Sequence, residues 1–191
     1  MIRVISVIHL TINLYTDVIP LYFTAMLDHF VAPDQNYVGN SYRIHEEPAM
    51  TVLIDSLTIV VLILGWWIAL SVYPRLPEKV PVHFNITGEA DRWGRRWMIF
   101  LIPLVSTTLV ALDYWIIEYA SPRSSNPIPP EMKTPLHLLL LELSVMFTYI
   151  TWRMSEVAFG RARGLGGWFL PSTLLAIFGT CGWMWVLGRG H

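Results

Sequence analysis

Four long apolar runs are the feature that most restricts what this chain can fold into. A bilayer core about 30 Å thick requires roughly 20 apolar residues in a helix that rises about 1.5 Å per residue. The runs approach that length and extend over residues 52–73, 97–118, 135–152 and 168–187. The sequence therefore predicts an all-α, polytopic membrane protein, in which four transmembrane helices form an antiparallel bundle with short connections.

Composition supports a membrane location and restricts the partners. Hydrophobic residues make up 54% of the 191 positions and charged residues 14%, which leaves too little polar surface for a soluble domain of this size. A net charge of -1 provides no surplus positive field for a nucleic-acid backbone. The single cysteine, Cys181, excludes an intrachain disulfide and a cysteine-rich metal site. We expect a multi-pass protein of the cell (plasma) membrane with lipid around it, no nucleic-acid partner and no cofactor.

The first 49 residues differ from the rest of the chain. Polar residues and a proline interrupt an otherwise apolar stretch at intervals too short for an unbroken crossing. An interfacial helix, a weak signal sequence and a fifth crossing are all compatible with this pattern. Because Met50 stands directly before the first clear crossing, it is a candidate alternative start. We therefore expect residues 1–49 to be an appendage, or an artefact of the assigned start, and residues 50–191 to form the transmembrane domain.

Positive charge gives a prediction of orientation. The segments after the first and third crossings carry eight Lys and Arg residues, whereas the other side carries five. Because cytoplasmic loops of membrane proteins are enriched in Lys and Arg, the first loop is expected to be cytoplasmic. The eight are Arg75, Lys79, Arg92, Arg95, Arg96, Arg153, Arg161 and Arg163.

The loop at residues 74–97 is not a generic linker. Its prolines fix φ and favour an extended chain, and two glycines allow turns back to the second helix. Val80, Val82 and Phe84 alternate with more polar positions, so one face can pack while the other presents polar groups. With Trp93 they supply apolar area that is unfavourable in water. We expect a compact cap on the bundle.

Several residues of this loop fall in one ordered run: Leu76-Pro77, Val80-Pro81, His83-Phe84-Asn85, Gly88-Glu89, Asp91 and Trp93-Gly94. The run resembles the signature of the domain of unknown function 1648 family, which comprises small bacterial membrane proteins and the N-terminal region of SdpI-type immunity and signalling proteins. The resemblance implies a sensing, binding or immunity-like role. The further membrane half of SdpI-type proteins has no counterpart in this sequence, so toxin immunity itself is not carried over.

Four polar residues of the loop are candidate binding residues: His83, Asn85, Glu89 and Asp91. Imidazole and carboxylate groups can bind a metal or another ligand, although their spacing matches no metal motif. Alternatively, Asn85 and Asp91 hydrogen-bond to the backbone of turns and His83 packs against the loop. We expect Asp91 to stabilise the entrance of the second helix, whereas His83 and Asn85 form the outward surface.

Three further polar residues lie inside the apolar runs: Asp113, His137 and Glu142. Glu142 is near the membrane midplane, where it must be protonated or paired. His137 is five residues away and therefore on another face of the helix. Asp113 is near enough to its helix end to extend partly towards water. These groups either line a proton or solute path or form interhelical hydrogen bonds.

The common catalytic motifs are absent from the sequence, including the nucleophile elbow, the P-loop and the zinc-protease motif. We therefore expect a non-enzymatic protein that uses the 74–97 loop to sense, bind or protect, with another membrane protein or a peptide as its partner. The alternative is a small transporter or membrane enzyme that uses the intramembrane acids.

Overall fold

The computed structural model describes residues 49–125 and 127–189, so the predictions for residues 1–48 lie outside the described part. Four long helices run through it, and each, together with the turns that extend it, is long and apolar enough to cross a membrane. They are α1 (Ala49–Val72), α2 (Leu101–Trp115), α3 (Pro130–Ala158) and α4 (Phe169–Gly188). The chain is thus that of a multi-pass membrane protein, which confirms the main expectation from the apolar runs.

Short irregular turns extend two of these helices. A 3-10 turn at Tyr73–Arg75 follows α1 and contains Pro74, which suits the first positions of a helical turn because it needs no amide donor. A 3-10 turn at Arg96–Phe100 precedes α2, and a π-helical segment at Ile116–Ala120 follows it. A last 3-10 turn, Ser121–Arg123, completes the second crossing.

Helix α3 is the centre of the bundle, because it packs against α1, α2 and α4. It is also longer than predicted: it begins at Pro130 and not at residue 135. The sequence prediction excluded the first turn because it is polar. In the structure this turn is part of the helix. Its Lys133 forms an ion pair with Glu118 at 2.9 Å, which satisfies the charge of both side chains at this end of the bundle.

Many of the side chains buried between the helices are small and polar. Thr148 on α3 donates to the carbonyl oxygen of Val61 on α1 at 3.1 Å, and Trp66 Nε1 donates to Thr107 on α2 at 3.0 Å. Lipid offers no hydrophobic driving force between helices, so close packing and polar contacts hold such bundles together. The large apolar side chains mostly point outwards, as a membrane requires.

The prediction of an all-α fold is wrong in one respect, because the 74–97 loop contains a β-hairpin. Strand β1 (Lys79–Phe84) pairs with β2 (Ala90–Arg95) in antiparallel register, and the register shifts on both sides of His83. The prolines obscured this strand in the sequence. Both strands of a two-stranded ribbon are edges, and edge strands tolerate proline.

The hairpin covers an apolar core at its end of the bundle. This core consists of Ala69, Leu76, Val80, Ile99 and Met154, and Val82 and Phe84 pack at its margin. Val80 is completely buried, and burial of such a side chain contributes about 1.5 to 3 kcal/mol. Trp93, in contrast to the prediction, remains 49% exposed and does not belong to this core.

Candidate functional site

The turn of the hairpin is organised by one side chain, that of Asn85. Its Oδ1 accepts hydrogen bonds from the amide of Thr87 at 3.0 Å, the hydroxyl of Thr87 at 2.6 Å and the amide of Glu89 at 2.9 Å. Gly88 adopts a φ of +80°, which L side chains rarely adopt. The carboxamide oxygen of Asn85 is therefore already occupied within the turn.

The tip of the hairpin docks on the segment between α3 and α4, residues 159–168, which we call the docking loop. The amide of Leu165 donates to the carbonyl oxygen of Gly88 at 2.8 Å, and Glu89 forms a β-bridge with Gly164. A Cβ atom on Gly164 would lie 2.0 Å from the Gly88 carbonyl oxygen. This contact therefore requires glycine at position 164.

Helix α3 holds the docking loop from its other side. The guanidinium of Arg153 donates to the Gly164 carbonyl oxygen through Nε at 2.8 Å and also through Nη2. The hydroxyl of Tyr149 donates to the Leu165 carbonyl oxygen at 2.7 Å. The sequence prediction missed these residues. Their only signal was an arginine near a glycine-rich turn, which does not indicate the partner across the loop.

His83 and Asp91 meet across the two strands on the exposed side of the hairpin. His83 Nδ1 lies 2.6 Å from Asp91 Oδ1, and the two side chains are 56% and 40% exposed. Asp91 does not stabilise the entrance of the second helix as predicted, because it lies within β2 and the turn at Arg96–Phe100 has no side-chain cap. The structure thus confirms the turn role that was one of the alternatives for Asn85, and it places Asp91, not Asn85, beside His83.

The fourth candidate, Glu89, is exposed beside this pair, with its backbone on the docking loop. In the described part of the chain, no group of three or more His, Cys, Asp or Glu residues is arranged to hold a metal ion. Exposed basic side chains lie on the same parts of the molecule, and one of them, Arg161, is already paired with Glu156. Those that are exposed on the hairpin, its exit and the docking loop are Lys79, Arg92, Arg95, Arg96, Arg161 and Arg163.

The three intramembrane candidates do not form one site. His137 faces α1, where its Nδ1 lies 2.5 Å from Oδ1 of Asp55, a residue not chosen as a candidate from the sequence. Glu142 faces α4, where its Oε1 accepts from the hydroxyl of Thr180 at 2.7 Å. Asp113 on α2 is partly buried. His137 and Glu142 are five residues apart and therefore lie on different faces of α3, which explains why they contact different helices.

A groove of about 300 Å³ lies between α1 and α3, away from Glu142 and its partner. Apolar side chains dominate its walls, so it offers no polar path along the bundle. Its lining residues are Val61, Leu64, Ile68, Val145, Thr148, Tyr149 and Trp152.

Comparison with known proteins agrees with the signature in the hairpin. Residues 60–107 match the family described as Domain of unknown function (DUF1648). This confirms the resemblance, and the match extends from α1 through the hairpin into α2. An uncharacterized protein of Archaeoglobus fulgidus is 38% identical over 56 residues, which are 29% of this chain and 31% of the relative. The aligned part is thus about a third of that relative's length. No solved structure matches this chain.

Proposed function

We propose that this protein is a non-enzymatic membrane protein that binds a partner through the exposed side of its hairpin, and that the partner is an acidic segment of another membrane protein or a peptide. The observation that carries the proposal is the exposed His83–Asp91 pair. The hairpin that carries this pair is held by other residues, namely those of the apolar core and of its tip. Neither side chain belongs to the apolar core under the hairpin. Both are therefore free to contact a partner.

The anchoring of the hairpin favours binding. Its base rests on the apolar core, and its tip is hydrogen-bonded to the docking loop through Gly88. A surface that is already ordered loses little conformational entropy when a partner binds. The hairpin thus presents His83 and Asp91 in a fixed arrangement, whereas a free loop would have to be ordered first.

The residues around the pair favour an acidic partner. Arg92, Arg95 and Trp93 are exposed on β2, and Arg and Trp are among the residues that most often dominate binding energy at interfaces. The exposed arginines attract carboxylates over several ångströms and can bind them with two parallel hydrogen bonds. Glu89 and Asp91 are acidic positions among these arginines, and they repel the carboxylates of an acidic partner. The partner therefore aligns on the hairpin in one position.

The proposal includes the cytoplasmic side of the plasma membrane as the location of the hairpin. The contact between Leu165 and Gly88 places the first and third connecting segments at the same end of the bundle. Seven of the eight Lys and Arg residues lie on these segments or on the turns beside them, and the eighth, Arg153 on α3, contacts the docking loop. They are therefore at the same end of the bundle, as the positive-inside rule describes for cytoplasmic ends. A sensing or SdpI-type immunity role is a specific form of this binding proposal.

Transport through the bundle has less support as an alternative. Glu142 is hydrogen-bonded to Thr180, which favours a structural role, and Asp113 lies on a helix that faces another side of α3. The groove between α1 and α3 is apolar and does not connect these acids. The arrangement of His83, Asp91 and Glu89 matches none of the common catalytic motifs, and no observation favours an enzymatic role.

Site-specific photo-crosslinking in cells that naturally produce the protein tests the proposal. A photoreactive residue at Ile86, which is 87% exposed at the hairpin tip, is compared with one at Leu175, which is 77% exposed on α4. We expect a discrete protein adduct from position 86 and none from position 175, where the reagent meets lipid.

The same experiment with His83→Ala and Asp91→Ala identifies the binding residues. The protein adduct from position 86 should be lost in the double variant, while the folded yield is unchanged. The proposal fails if position 86 gives no protein adduct, or if the adduct forms equally well without both side chains.

A further inference from the structure

A second group of ionisable residues lies at the end of the bundle opposite the hairpin. Asp55 comes from α1, Asp113 from α2 and His137 from α3. His137 Nδ1 lies 2.5 Å from Asp55 Oδ1, and Asp113 is within electrostatic range of the imidazole. Three helices thus bring two carboxyl groups to one buried histidine.

Two atoms of this group have no hydrogen-bond partner within the described residues. They are Nε2 of His137, whose side chain is only 4% exposed, and Oδ2 of Asp113. Buried polar atoms in folded proteins are almost always hydrogen-bonded, and exceptions concentrate where a group has a chemical role. Glu142 Oε2 and Ser144 Oγ are also buried without a partner within the described residues. His137 Nε2 and Asp113 Oδ2 differ from them because they belong to two ionisable groups within electrostatic range of each other.

A polar layer separates these residues from the nearby end of the bundle. Lys133, one helical turn before His137, pairs with Glu118 at 2.9 Å, and the hydroxyls of Thr51 and Thr134 are 3.1 Å apart. Glu118 is also within electrostatic range of His137. The site therefore combines one imidazole with two carboxyl groups, those of Asp55 and Asp113, and a positive charge on the histidine offsets part of the negative charge that they can carry.

The chemistry of the group favours a proton as its ligand. When Asp55 is ionised, it accepts the proton on Nδ1 of His137, which leaves a lone pair on Nε2. This lone pair can take a proton, and the resulting cation lies within electrostatic range of Asp113. The three donors do not form a set arranged for a metal ion, as far as the described residues extend.

We propose that Asp55, His137 and Asp113 form an intramembrane proton-binding site. One proton from water at the Lys133 end of the bundle binds to Nε2 of His137, and the Nδ1 proton stays on its hydrogen bond to Asp55. The resulting imidazolium is hydrogen-bonded to Asp55 and lies within electrostatic range of Asp113. On release, the proton returns to water and the imidazole regains its lone pair. The proposal is independent of partner binding by the hairpin.

Nitrogen-15 NMR of histidine-labelled protein in lipid nanodiscs tests this site with the proton itself as the probe. The His137 signals are identified by their loss in His137→Gln and followed between roughly pH 4 and 9, on both sides of an ordinary histidine titration. We expect Nε2 of His137 to change from unprotonated to protonated as the pH falls, while Nδ1 remains protonated. A protonation state of Nε2 that stays constant over this range would overturn the proposal.

Two variants separate the site from a general effect on the bundle. Asp113→Asn should change the midpoint of the His137 titration. Glu142→Gln should leave this midpoint unchanged, because Glu142 lies on another face of α3 than His137 and contacts Thr180. Proton uptake after a pH jump should decrease by about one proton per chain in His137→Gln. Equal midpoints in wild type and Asp113→Asn, or an unchanged proton count in His137→Gln, would contradict the proposal even if the wild-type histidine titrates.

Discussion

At the hairpin end of the bundle the interior is apolar, whereas at the opposite end it contains ionisable and hydroxyl groups. Val80 of the hairpin and Ile99, which lies beneath it, are completely buried. At the other end, His137 is almost as deeply buried, but its neighbours are Asp55 and Asp113. The same four helices thus support two different kinds of interior.

The difference shows how the two ends are stabilised. At the hairpin end, removal of apolar side chains from water holds the small hairpin in place, because its Val80 packs with Ile99 in the apolar core. Within lipid this driving force is missing, and polar contacts between helices take its place. We therefore expect substitutions at the hairpin end to have larger effects on the free energy of unfolding than comparable substitutions between the helices.

The largest effect is expected from Gly164→Val at the contact between the hairpin and the docking loop. The new Cβ would overlap the Gly88 carbonyl oxygen, so the hairpin must move away from the loop. We expect the free energy of unfolding in mild detergent to fall by about 3 kcal/mol, the upper part of the usual range for overpacking. Gly167→Val is the matched control, because nothing lies within 4 Å of a Cβ atom there. Equal stabilities of the two variants would refute the docked arrangement.

The next largest effect is expected from Ile99→Ala in the apolar core. This truncation leaves a cavity beneath the hairpin and should lower the free energy of unfolding by about 2 to 3 kcal/mol. Ile63→Ala serves as the control, because Ile63 is 56% exposed on α1 and faces the lipid side. If both truncations lower the free energy of unfolding by the same amount, the hairpin does not cover a core that excludes water.

A smaller effect is expected from Asn85→Ala in the turn. Two backbone amides lose their common acceptor, but water can replace it at this partly exposed site, so we expect a loss of about 1 kcal/mol. Asn85→Asp keeps an acceptor oxygen and should be close to wild type. An Asn85→Ala variant that folds normally but loses the crosslinked partner would return Asn85 to the binding surface.

The smallest effect is expected between the helices, at Thr180. Thr180→Val removes the hydroxyl that donates to Glu142 and should cost about 0.6 kcal/mol, an average value for interhelical hydrogen bonds in membranes. Thr180→Ser retains the donor and should restore most of this loss. A cost for Thr180→Val that exceeds the cost of Ile99→Ala would reverse the proposed difference between the two kinds of interior.

The sequence predicted those parts of the structure that depend on local composition. Each apolar run became a helix, because a span of lipid requires roughly 20 apolar residues in a backbone that satisfies its own hydrogen bonds. The signature in the 74–97 loop also led to the family whose model matches residues 60–107. These features are encoded within short stretches and need no knowledge of contacts between distant residues.

The roles of individual polar residues depended on contacts that the sequence does not state. The turn role considered for Asn85 and Asp91 is confirmed only for Asn85, because only the pairing of the two strands shows which one lies in the turn and which one faces His83. The contact of His137 with Asp55 depends on how α1 and α3 are rotated, and the two residues are 82 positions apart. Contacts of this kind require the folded arrangement.

The hairpin is docked on the docking loop and presents a fixed surface. Hydrogen–deuterium exchange at the amide of Leu165, in the protein in lipid nanodiscs, tests this arrangement most directly, because this amide donates to the carbonyl oxygen of Gly88. We expect exchange at least roughly 100-fold slower than in an unstructured peptide, and loss of most of this protection in Gly164→Val. Exchange of the wild-type amide at the peptide rate would contradict the account.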